Sequence, residues 1–276
     1  DHAPRCGFQL HVGSFANLTN DNQTYYDWNV NFAFLNNLDG TVEIPVTNYY
    51  ATTHTTDITI RAIERFGDNP WFLWVSFNAP HTPFHVPPLE LIQTPGLNTA
   101  TTMGKGQAAI EALDSEIGRL MASIPPSVRA RTTVIFIGDN GTHKDLTKAP
   151  FPNDHAKGSV FNGGVHTPLI ISSSFTPQDL RGSECQALVD VTDLMPTVAD
   201  ITCGTVSPNA EGHSILPHLS NPAAPSTREW IYAERFKPNF VPDGVTNIIN
   251  APLTIDQQTA RDGQYKLIRF WNADVG

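Results

Sequence analysis

Cysteine is scarce in this chain, with only Cys6, Cys185 and Cys203 among its 276 residues. None of the three belongs to a Cys-x-x-Cys pair, which excludes a zinc knuckle and a thioredoxin-type redox motif. Cys185 and Cys203 could form one disulfide bond and leave Cys6 as a free thiol. The common cysteine motifs therefore give no indication of function.

The chain also lacks long hydrophobic runs and an excess of positive charge. No apolar run is long enough to cross a bilayer, so no membrane span is expected. Lys and Arg number 17 against 27 Asp and Glu, which gives a formal net charge of -10. Nucleic-acid binding needs cations that neutralise phosphates, so this balance argues against it. An anionic substrate would have to meet a local cationic pocket, because the whole protein offers no positive field.

Hydrophobic residues, in contrast, make up 40% of the chain, which is enough for a full core. Segments of helical periodicity alternate with three short apolar runs, Trp71–Phe77, Thr133–Ile137 and His166–Ser172, which are typical of strands. The longest helix is predicted from Gly104 to Ile124, with a buried apolar stripe that includes Ile110. This alternation predicts an α/β fold with a mixed sheet flanked by helices.

The domain organisation is predicted from the change in pattern near residue 206. We expect a partial α/β domain over residues 1–206 and a C-terminal α+β subdomain over residues 207–276. The run Tyr265–Phe270 alternates loosely in hydrophobicity, so the subdomain is expected to contain a short antiparallel sheet.

The Thr133–Ile137 run is followed at once by Gly138, Asp139, Asn140 and Gly141. Its β-branched and aromatic residues predict a strand that is buried on both faces. Polar side chains at the carboxyl end of such a strand occupy the place where open α/β sheets bind ligands. Carboxylate and carboxamide oxygens are the ligands that Ca²⁺ and Mg²⁺ prefer. The alternative is a plain Asp-Asn-Gly turn without a ligand.

Two further loops carry residues with useful chemistry. His81 lies in a proline-rich loop after the Trp71–Phe77 run, and Lys157 lies in a glycine-bearing loop before the His166–Ser172 run. Carboxyl-end loops of a parallel sheet converge on one rim, so we expect His81, Lys157 and the Asp139–Asn140 pair to meet there. Lysine donates to anionic oxygens as a compact charge, and histidine can hydrogen-bond a leaving oxygen. The set predicts binding of a tetrahedral anion against a metal ion.

These loops, in this order, resemble the carboxyl-terminal two-thirds of a type I sulfatase of the alkaline phosphatase superfamily. The resemblance extends over seven short motifs, which are Pro70–Pro83, Leu113–Gly118, Val134–Gly141, Lys157–Gly158, Gly163–Pro168, Val189–Thr197 and Tyr265–Ile268. One short motif would be weak, but seven in the same order are specific. The resemblance implies an alkaline-phosphatase-like fold and a metal-dependent hydrolase of sulfate esters.

The resemblance also implies a role for each residue that it covers. Asp139 and Asn140 match metal ligands, usually for Ca²⁺, and Lys157 matches the lysine that contacts the sulfate group. His81 matches the histidine that contacts the sulfate or the leaving oxygen, so His81 and Lys157 are the predicted catalytic residues. His166, where many members have Arg, is predicted to bind substrate together with them. An Asn after the Asp resembles the sulfatase branch, because phosphonate- and phosphodiester-cleaving relatives often carry His there.

The nucleophile of the family is not found in this sequence. It is a cysteine, sometimes a serine, in a Cys-x-Pro/Ser-x-Arg signature, and it is oxidised to formylglycine. None of Cys6, Cys185 and Cys203 fits that signature, and the consecutive aspartates of the family's amino-terminal metal site are absent too. The resemblance therefore implies a chain that begins after the first third of a sulfatase.

Three functions stay open at this point. The first is a sulfatase, the second a phosphodiesterase or phosphonate monoester hydrolase of the same superfamily, and the third a protein without a nucleophile that binds an anion or a partner. The resemblance implies a small-molecule or glycan sulfate ester as substrate, and a secreted, periplasmic or lysosome-like compartment. It also implies that the chain associates with a missing N-terminal segment or forms a homo-oligomer.

Overall fold

The structure, a computed structural model, describes residues 2–18, 23–35, 37–237 and 255–272. The chain divides into two compact units, Asp1–Arg129 and Ala130–Gly276. Each unit combines helices with β-sheet, as the predicted α/β class requires. The predicted domain boundary at residue 206 falls within the second unit, and that assignment of domains stays a prediction.

The helices of the described chain are α1 His2–Arg5, α2 Ala51–Phe66, α3 Thr102–Ser123, α4 Pro126–Arg129, α5 Asn162–Val165, α6 Leu194–Ile201 and α7 Leu216–Ser220. Short 3₁₀ turns cover Leu89–Leu91, Lys144–Leu146, Asn153–His155, Gln178–Leu180 and Val191–Asp193. The strands are β1 Leu10–Gly13, β2 Trp28–Phe34, β3 Asn37–Val46, β4 Val134–Ile137, β5 Leu169–Ser172, β6 Ile231–Lys237, β7 Ile255–Arg261 and β8 Lys266–Asn272. They form three antiparallel sheets in the orders β1-β2-β3, β4-β5 and β6-β7-β8.

The longest helix, α3, has nearly the predicted bounds, but the predicted stripe is buried only in part. Thr101 caps it by accepting a hydrogen bond from the backbone N–H of Gly104 at 3.0 Å. Five of its six buried residues are Gly or Ala, and four of the six recur every four residues, whereas Ile110 is 53% exposed. The predicted stripe was therefore wrong at Ile110. Small side chains give α2 a close approach to α3, and that packing, not hydrophobicity alone, decides which face is inside.

The run Trp71–Phe77 was wrongly predicted to be a buried strand. It is extended, but it has no ladder partner among the residues that the structure describes. Its side chains alternate in exposure, with Trp71 and Leu73 packed against the Ile63 cluster and Trp74 69% exposed. The apolar pattern thus set the extended conformation, whereas a strand also needs a neighbour to satisfy its backbone.

The three cysteines are free and exposed, so the disulfide between Cys185 and Cys203 is not formed. A sequence spacing cannot show whether two thiols lie within bonding distance, which only the fold determines. Across the described ranges, none of the helices is both long and apolar enough to cross a membrane.

Candidate active site

An antiparallel strand pair brings the predicted site loops of the second unit together. Ile137, the last residue of β4, lies opposite Leu169, the first residue of β5. The backbone N–H of Gly138 continues this ladder by donating to the carbonyl of Pro168 at 3.1 Å. The loop after β4 and the loop before β5 consequently lie at the same edge.

We expected these loops to meet on the rim of a parallel sheet, and that expectation was wrong. In a parallel pair, a loop that follows one strand and a loop that precedes the next lie at opposite edges. The antiparallel pairing of β4 with β5 removes that conflict. The expected burial of both faces of β4 was also wrong, since Phe136 and its partner Ile170 are 38% and 63% exposed.

Glycine backbones fix the distance between these two loops. The N–H of Gly141 donates to the carbonyl of Gly164 at 3.0 Å. A Cβ atom at Gly141 would lie 2.0 Å from the carbonyl oxygen of Gly163 and 2.6 Å from Cα of Gly164. The backbone N–H of Lys157 joins the same cluster by donating to the carbonyl of Thr142 at 2.9 Å. Glycine is required at position 141 because any side chain would separate the loops.

Asp139 and Asn140, the candidate metal ligands, lie next to each other directly after β4. The Asn140 Nδ2 amide donates to the Asp139 Oδ2 oxygen, so the two polar heads touch. Both residues supply oxygen, which is the ligand type of Ca²⁺ and Mg²⁺, so their chemistry fits such an ion. In the described ranges, no three His, Cys, Asp or Glu side chains are grouped so that they could hold a metal ion. The pair therefore fits as one part of a coordination shell of about six to eight oxygens.

Lys157 and His166 are exposed on the same loop cluster. Gly158 follows Lys157 with a φ of 83°, a left-handed backbone that glycine adopts without strain. Among the residues described, the Lys157 ammonium has no hydrogen-bond or ion-pair partner. The backbone N–H of His166 donates to the carbonyl of Asn162 at 2.9 Å, which closes the turn of α5. Two cationic or potentially cationic side chains are thus available to an anion beside Asp139 and Asn140.

His81 belongs to the first unit and is positioned by contacts within that unit. Its Nδ1 atom lies 3.0 Å from the carbonyl oxygen of Thr82 and 3.3 Å from the Thr82 hydroxyl. The carbonyl can only accept, so the tautomer that satisfies the shorter contact carries its proton on Nδ1. The neutral ring therefore presents the lone pair of Nε2, which has no partner in the described part of the chain. Protonation at Nε2 would convert that atom into a hydrogen-bond donor.

Three tyrosines hold the loop that carries His81, and sequence reasoning missed them. Tyr25 donates to the carbonyl of His81 at 2.9 Å, and Tyr26 donates to the carbonyl of Val86 at 2.8 Å. Tyr50 lies 3.0 Å from the Nε2 atom of His85. The only sequence signals were two Tyr-Tyr pairs, at 25–26 and 49–50. Nothing in their spacing pointed to partners that lie 56, 60 and 35 residues further along the chain.

His85 completes this support from inside the loop. Its Nδ1 atom lies 3.1 Å from the carbonyl oxygen of Pro83, and its ring stacks on Tyr25 with a centroid distance of 3.7 Å. Burial lowers the pKa of His85, so the ring stays neutral and its Nε2 atom accepts from Tyr50. Burial also raises the pKa of Tyr25, and it raises that of Tyr50 to about 12. Both phenols therefore remain protonated donors at neutral pH.

We expect Tyr25→Phe to cost about 1 kcal/mol of stability, because it leaves the carbonyl of His81 without its donor. A positioning role also predicts changed NMR chemical shifts of the His81 ring, which a purely structural loss elsewhere would not produce. Chemical denaturation and NMR spectra of the His81 ring measure the two effects. Tyr265→Phe is the control, since Tyr265 is 75% exposed. Equal behaviour of the two variants would show that Tyr25 does not position His81.

Comparison with known proteins adds family and fold to this geometry. The family model described as Sulfatase matches residues 5–205. The "Uncharacterized sulfatase YdeN" of Escherichia coli (strain K12) is 25% identical over 181 residues, which cover 62% of this chain and 31% of that protein. This chain therefore spans about a third of the length of that curated relative.

Two solved structures share the fold. One is described as the structure of BT4656 in complex with its substrate D-Glucosamine-2-N, 6-O-disulfate, and it matches with a TM-score of 0.69 at 18% identity, covering 97% of this chain and 68% of that chain. The other is the phosphonate monoester hydrolase SpPMH from Silicibacter pomeroyi, with a TM-score of 0.62 at 20% identity, covering 80% of this chain and 52% of that chain. At these identities the likeness is one of fold, and it confirms the predicted alkaline-phosphatase-like α/β architecture.

Proposed function

Because the chain belongs to the sulfatase family, we propose that it supplies the metal- and sulfate-binding part of a site that hydrolyses sulfate esters. The observation that carries this proposal is the edge formed by β4 and β5. There the candidate metal ligands Asp139 and Asn140 share one glycine-packed loop cluster with Lys157, whose ammonium has no partner among the described residues. A negatively charged ester needs such local cations in a protein whose net charge is -10.

In this proposal Asp139 and Asn140 hold a Ca²⁺ or Mg²⁺ ion. When bound, the ion supplies positive charge that stabilises the oxygens of the transferred group. Lys157 donates to a second sulfate oxygen. The hydrogen bond from its own backbone N–H to the carbonyl of Thr142 holds its Cα in place. His166, exposed at the end of α5, offers a further donor to the ester. These roles orient the substrate and offset its charge.

His81 is proposed to contact the sulfate or the leaving oxygen. The carbonyl of Thr82 accepts from Nδ1 in both protonation states, so a proton gained by the ring is held at Nε2. The imidazolium can donate that proton to the leaving alkoxide or phenoxide, which is general acid catalysis. The three tyrosines keep the loop in place while the ring changes charge.

No residue of this chain is proposed as the nucleophile. None of the three cysteines lies in the formylglycine signature, all three are exposed, and in the sequence they lie outside the motifs that carry the site residues. The substrate is proposed to be a small-molecule or glycan sulfate ester, and the compartment to be secreted, periplasmic or lysosome-like. Association with an N-terminal sulfatase segment or with a second copy belongs to the same proposal.

The proposal is tested by adding an aryl sulfate and the matching aryl phosphate to the purified chain with Ca²⁺, measuring both release of the phenol and binding by calorimetry. Calcium-dependent binding that prefers the sulfate supports the proposal, with or without turnover. A preference for the phosphate would support a phosphodiesterase or phosphonate monoester hydrolase instead. Absence of both binding and turnover would contradict a role in sulfate ester chemistry.

Lys157→Ala is expected to weaken aryl sulfate binding by about ten- to a hundredfold, because a hydrogen bond to a charged group contributes about 1.5–3 kcal/mol. The matched control is Lys148→Ala, which removes an exposed lysine that lies earlier in the same unit. The calorimetric titration used above measures both variants. Equal affinities for the two variants would remove Lys157 from the site.

A further inference from the structure

The C-terminal sheet has one face on which every charged side chain is a cation. In antiparallel β6-β7-β8, directly opposed residues share a face, and the register places Ile231, Arg261 and Lys266 in one row. We call this the basic face. It comprises the odd-numbered residues of 231–235 and 257–261 and the even-numbered residues of 266–270. Its charged members are Arg235, Arg261 and Lys266, whereas the opposite face carries Glu234 and Asp256.

Two of these cations, Arg261 and Lys266, are directly opposed across the strands. Like charges in this position destabilise a sheet, so the arrangement has an energetic cost. The described residues offer Arg261 no ion-pair partner, and Lys266 donates only to the neutral Oδ1 of Asn162, at 2.9 Å. Burial, and after it the charge of Arg261, lowers the pKa of Lys266. Within the described part of this acidic chain, no carboxylate forms an ion pair with either cation.

The same face contacts the loop cluster of the candidate active site. Lys266 bonds Asn162, the first residue of α5, and Phe270 packs against Phe161 with ring centroids 5.7 Å apart. The next two residues of α5 pack against the backbone of Gly141, which directly follows the candidate metal ligands. Direct contacts therefore connect the basic face, through α5 and Gly141, to the place where a substrate would be held at those ligands.

We propose that Arg261 and Lys266 bind a second oxyanion, a sulfate or carboxylate, of a substrate whose scissile sulfate ester lies at Asp139, Asn140 and Lys157. The inference rests on the proposed function and narrows its substrate class to saccharide sulfates that carry more than one negative group. A bound oxyanion relieves the repulsion between the two cations, and Arg261 can bind it with two parallel N–H donors. Phe270, 54% exposed on the same face, offers an apolar surface to a sugar ring.

Calorimetry with Ca²⁺ compares a disulfated disaccharide, a uronate-bearing monosulfated disaccharide and a neutral monosulfated disaccharide. The wild-type chain is expected to bind at least one of the two doubly charged ligands about tenfold or more tightly than the singly charged one. Tighter binding of the disulfated ligand identifies the second oxyanion as a sulfate, and tighter binding of the uronate-bearing ligand identifies it as a carboxylate. Lys266→Met and Arg261→Gln are expected to remove this preference and to leave the affinity for the monosulfated ligand unchanged. Arg269→Gln, on the opposite face, is the control and should keep the preference.

Lys266→Glu gives a second, independent test of the inference. It places opposite charges across β7 and β8, which favours folding of the sheet, and it should reverse the preference between the doubly and singly charged ligands. If these variants kept the preference and Lys157→Ala still weakened binding of the monosulfated ligand, the inference would be overturned and the proposed function would stand. If Lys157→Ala had no effect on any ligand, the proposed function itself would fail.

Discussion

Replacing Arg228 with alanine is expected to lower the free energy of unfolding by about 3–5 kcal/mol, because it leaves a buried carboxylate unpaired. That carboxylate belongs to Asp193, which is 0% exposed. The Nε atom of Arg228 donates to both Asp193 oxygens, at 3.0 and 2.9 Å. The backbone N–H groups of Asp190 and His213 donate to the same carboxylate at 2.8 and 2.7 Å. One side chain thus joins the start of α6 to two later loops.

The effect of Arg228→Ala should depend on pH in a defined direction. Burial by itself raises the pKa of Asp193, but the hydrogen bonds from Arg228 and the two backbone amides outweigh burial and hold it below 3.8. A carboxyl whose pKa is lower in the folded state stabilises the fold above its unfolded value of about 3.9. That contribution is lost as the pH falls through the folded pKa. The difference between wild type and variant should therefore be largest above about pH 4 and shrink in stronger acid.

Denaturant titration at several pH values measures this prediction. Arg269→Ala is the matched control, since Arg269 is exposed and, among the residues that the structure describes, makes one long hydrogen bond, of 3.4 Å to Gln258. The control is expected to change stability by no more than about 0.5 kcal/mol. A similar loss in both variants, or a loss from Arg228→Ala that does not vary with pH, would contradict the role assigned to the buried pair.

Gly141→Ala is expected to destabilise the protein by about 2–4 kcal/mol and to weaken aryl sulfate binding by about tenfold or more. The new Cβ would lie 2.0 Å from the carbonyl oxygen of Gly163, and neither backbone can turn aside as a flexible side chain could. The loops would separate and lose the hydrogen bond from Gly141 to Gly164. Asp139 and Asn140 would then be displaced from the lysine that shares their edge.

Thermal or chemical denaturation and calorimetry together measure the effect of Gly141→Ala. Gly263→Ala is the control in the same unit, because a Cβ there meets no atom within 4 Å. We expect that control to stay within about 0.5 kcal/mol of the wild type and to bind the aryl sulfate normally. A stable Gly141→Ala variant with unchanged affinity would show that the close contact of the two loops is not needed at the site.

Asp193 illustrates how much of a role can be inferred from sequence. Its position before an apolar run is typical of a helix cap, and the residue does lie at the start of α6. Its side chain, however, bonds the N–H of Asp190 in a capping box and pairs with an arginine 35 residues later. The local pattern located the helix start, but the burial of the carboxylate and its partner depend on chain segments that no local pattern connects.

Tyr25 and Lys266 show the same limit of local sequence patterns at the candidate site. The motifs around His81, Asp139 and Lys157 were visible because they are short and contiguous, as is the strand that precedes Asp139. Tyr25 and Lys266 contact these motifs from distant segments, through hydrogen bonds to the His81 carbonyl and to Asn162. Neither a phenol in an irregular stretch nor a lysine in an alternating strand stands out in sequence.

The sequence by itself determined the α/β class, the bounds of α3 and the membership of the sulfatase family, because periodicity and contiguous motifs are local properties of the chain. Only the tertiary structure decided that β4 pairs antiparallel with β5, that Trp71–Phe77 has no strand partner in the described chain, and that α3 buries small residues instead of Ile110. These features depend on which distant backbone or helix comes to lie alongside. That choice is made by packing and backbone hydrogen bonding between segments, and no single segment encodes it.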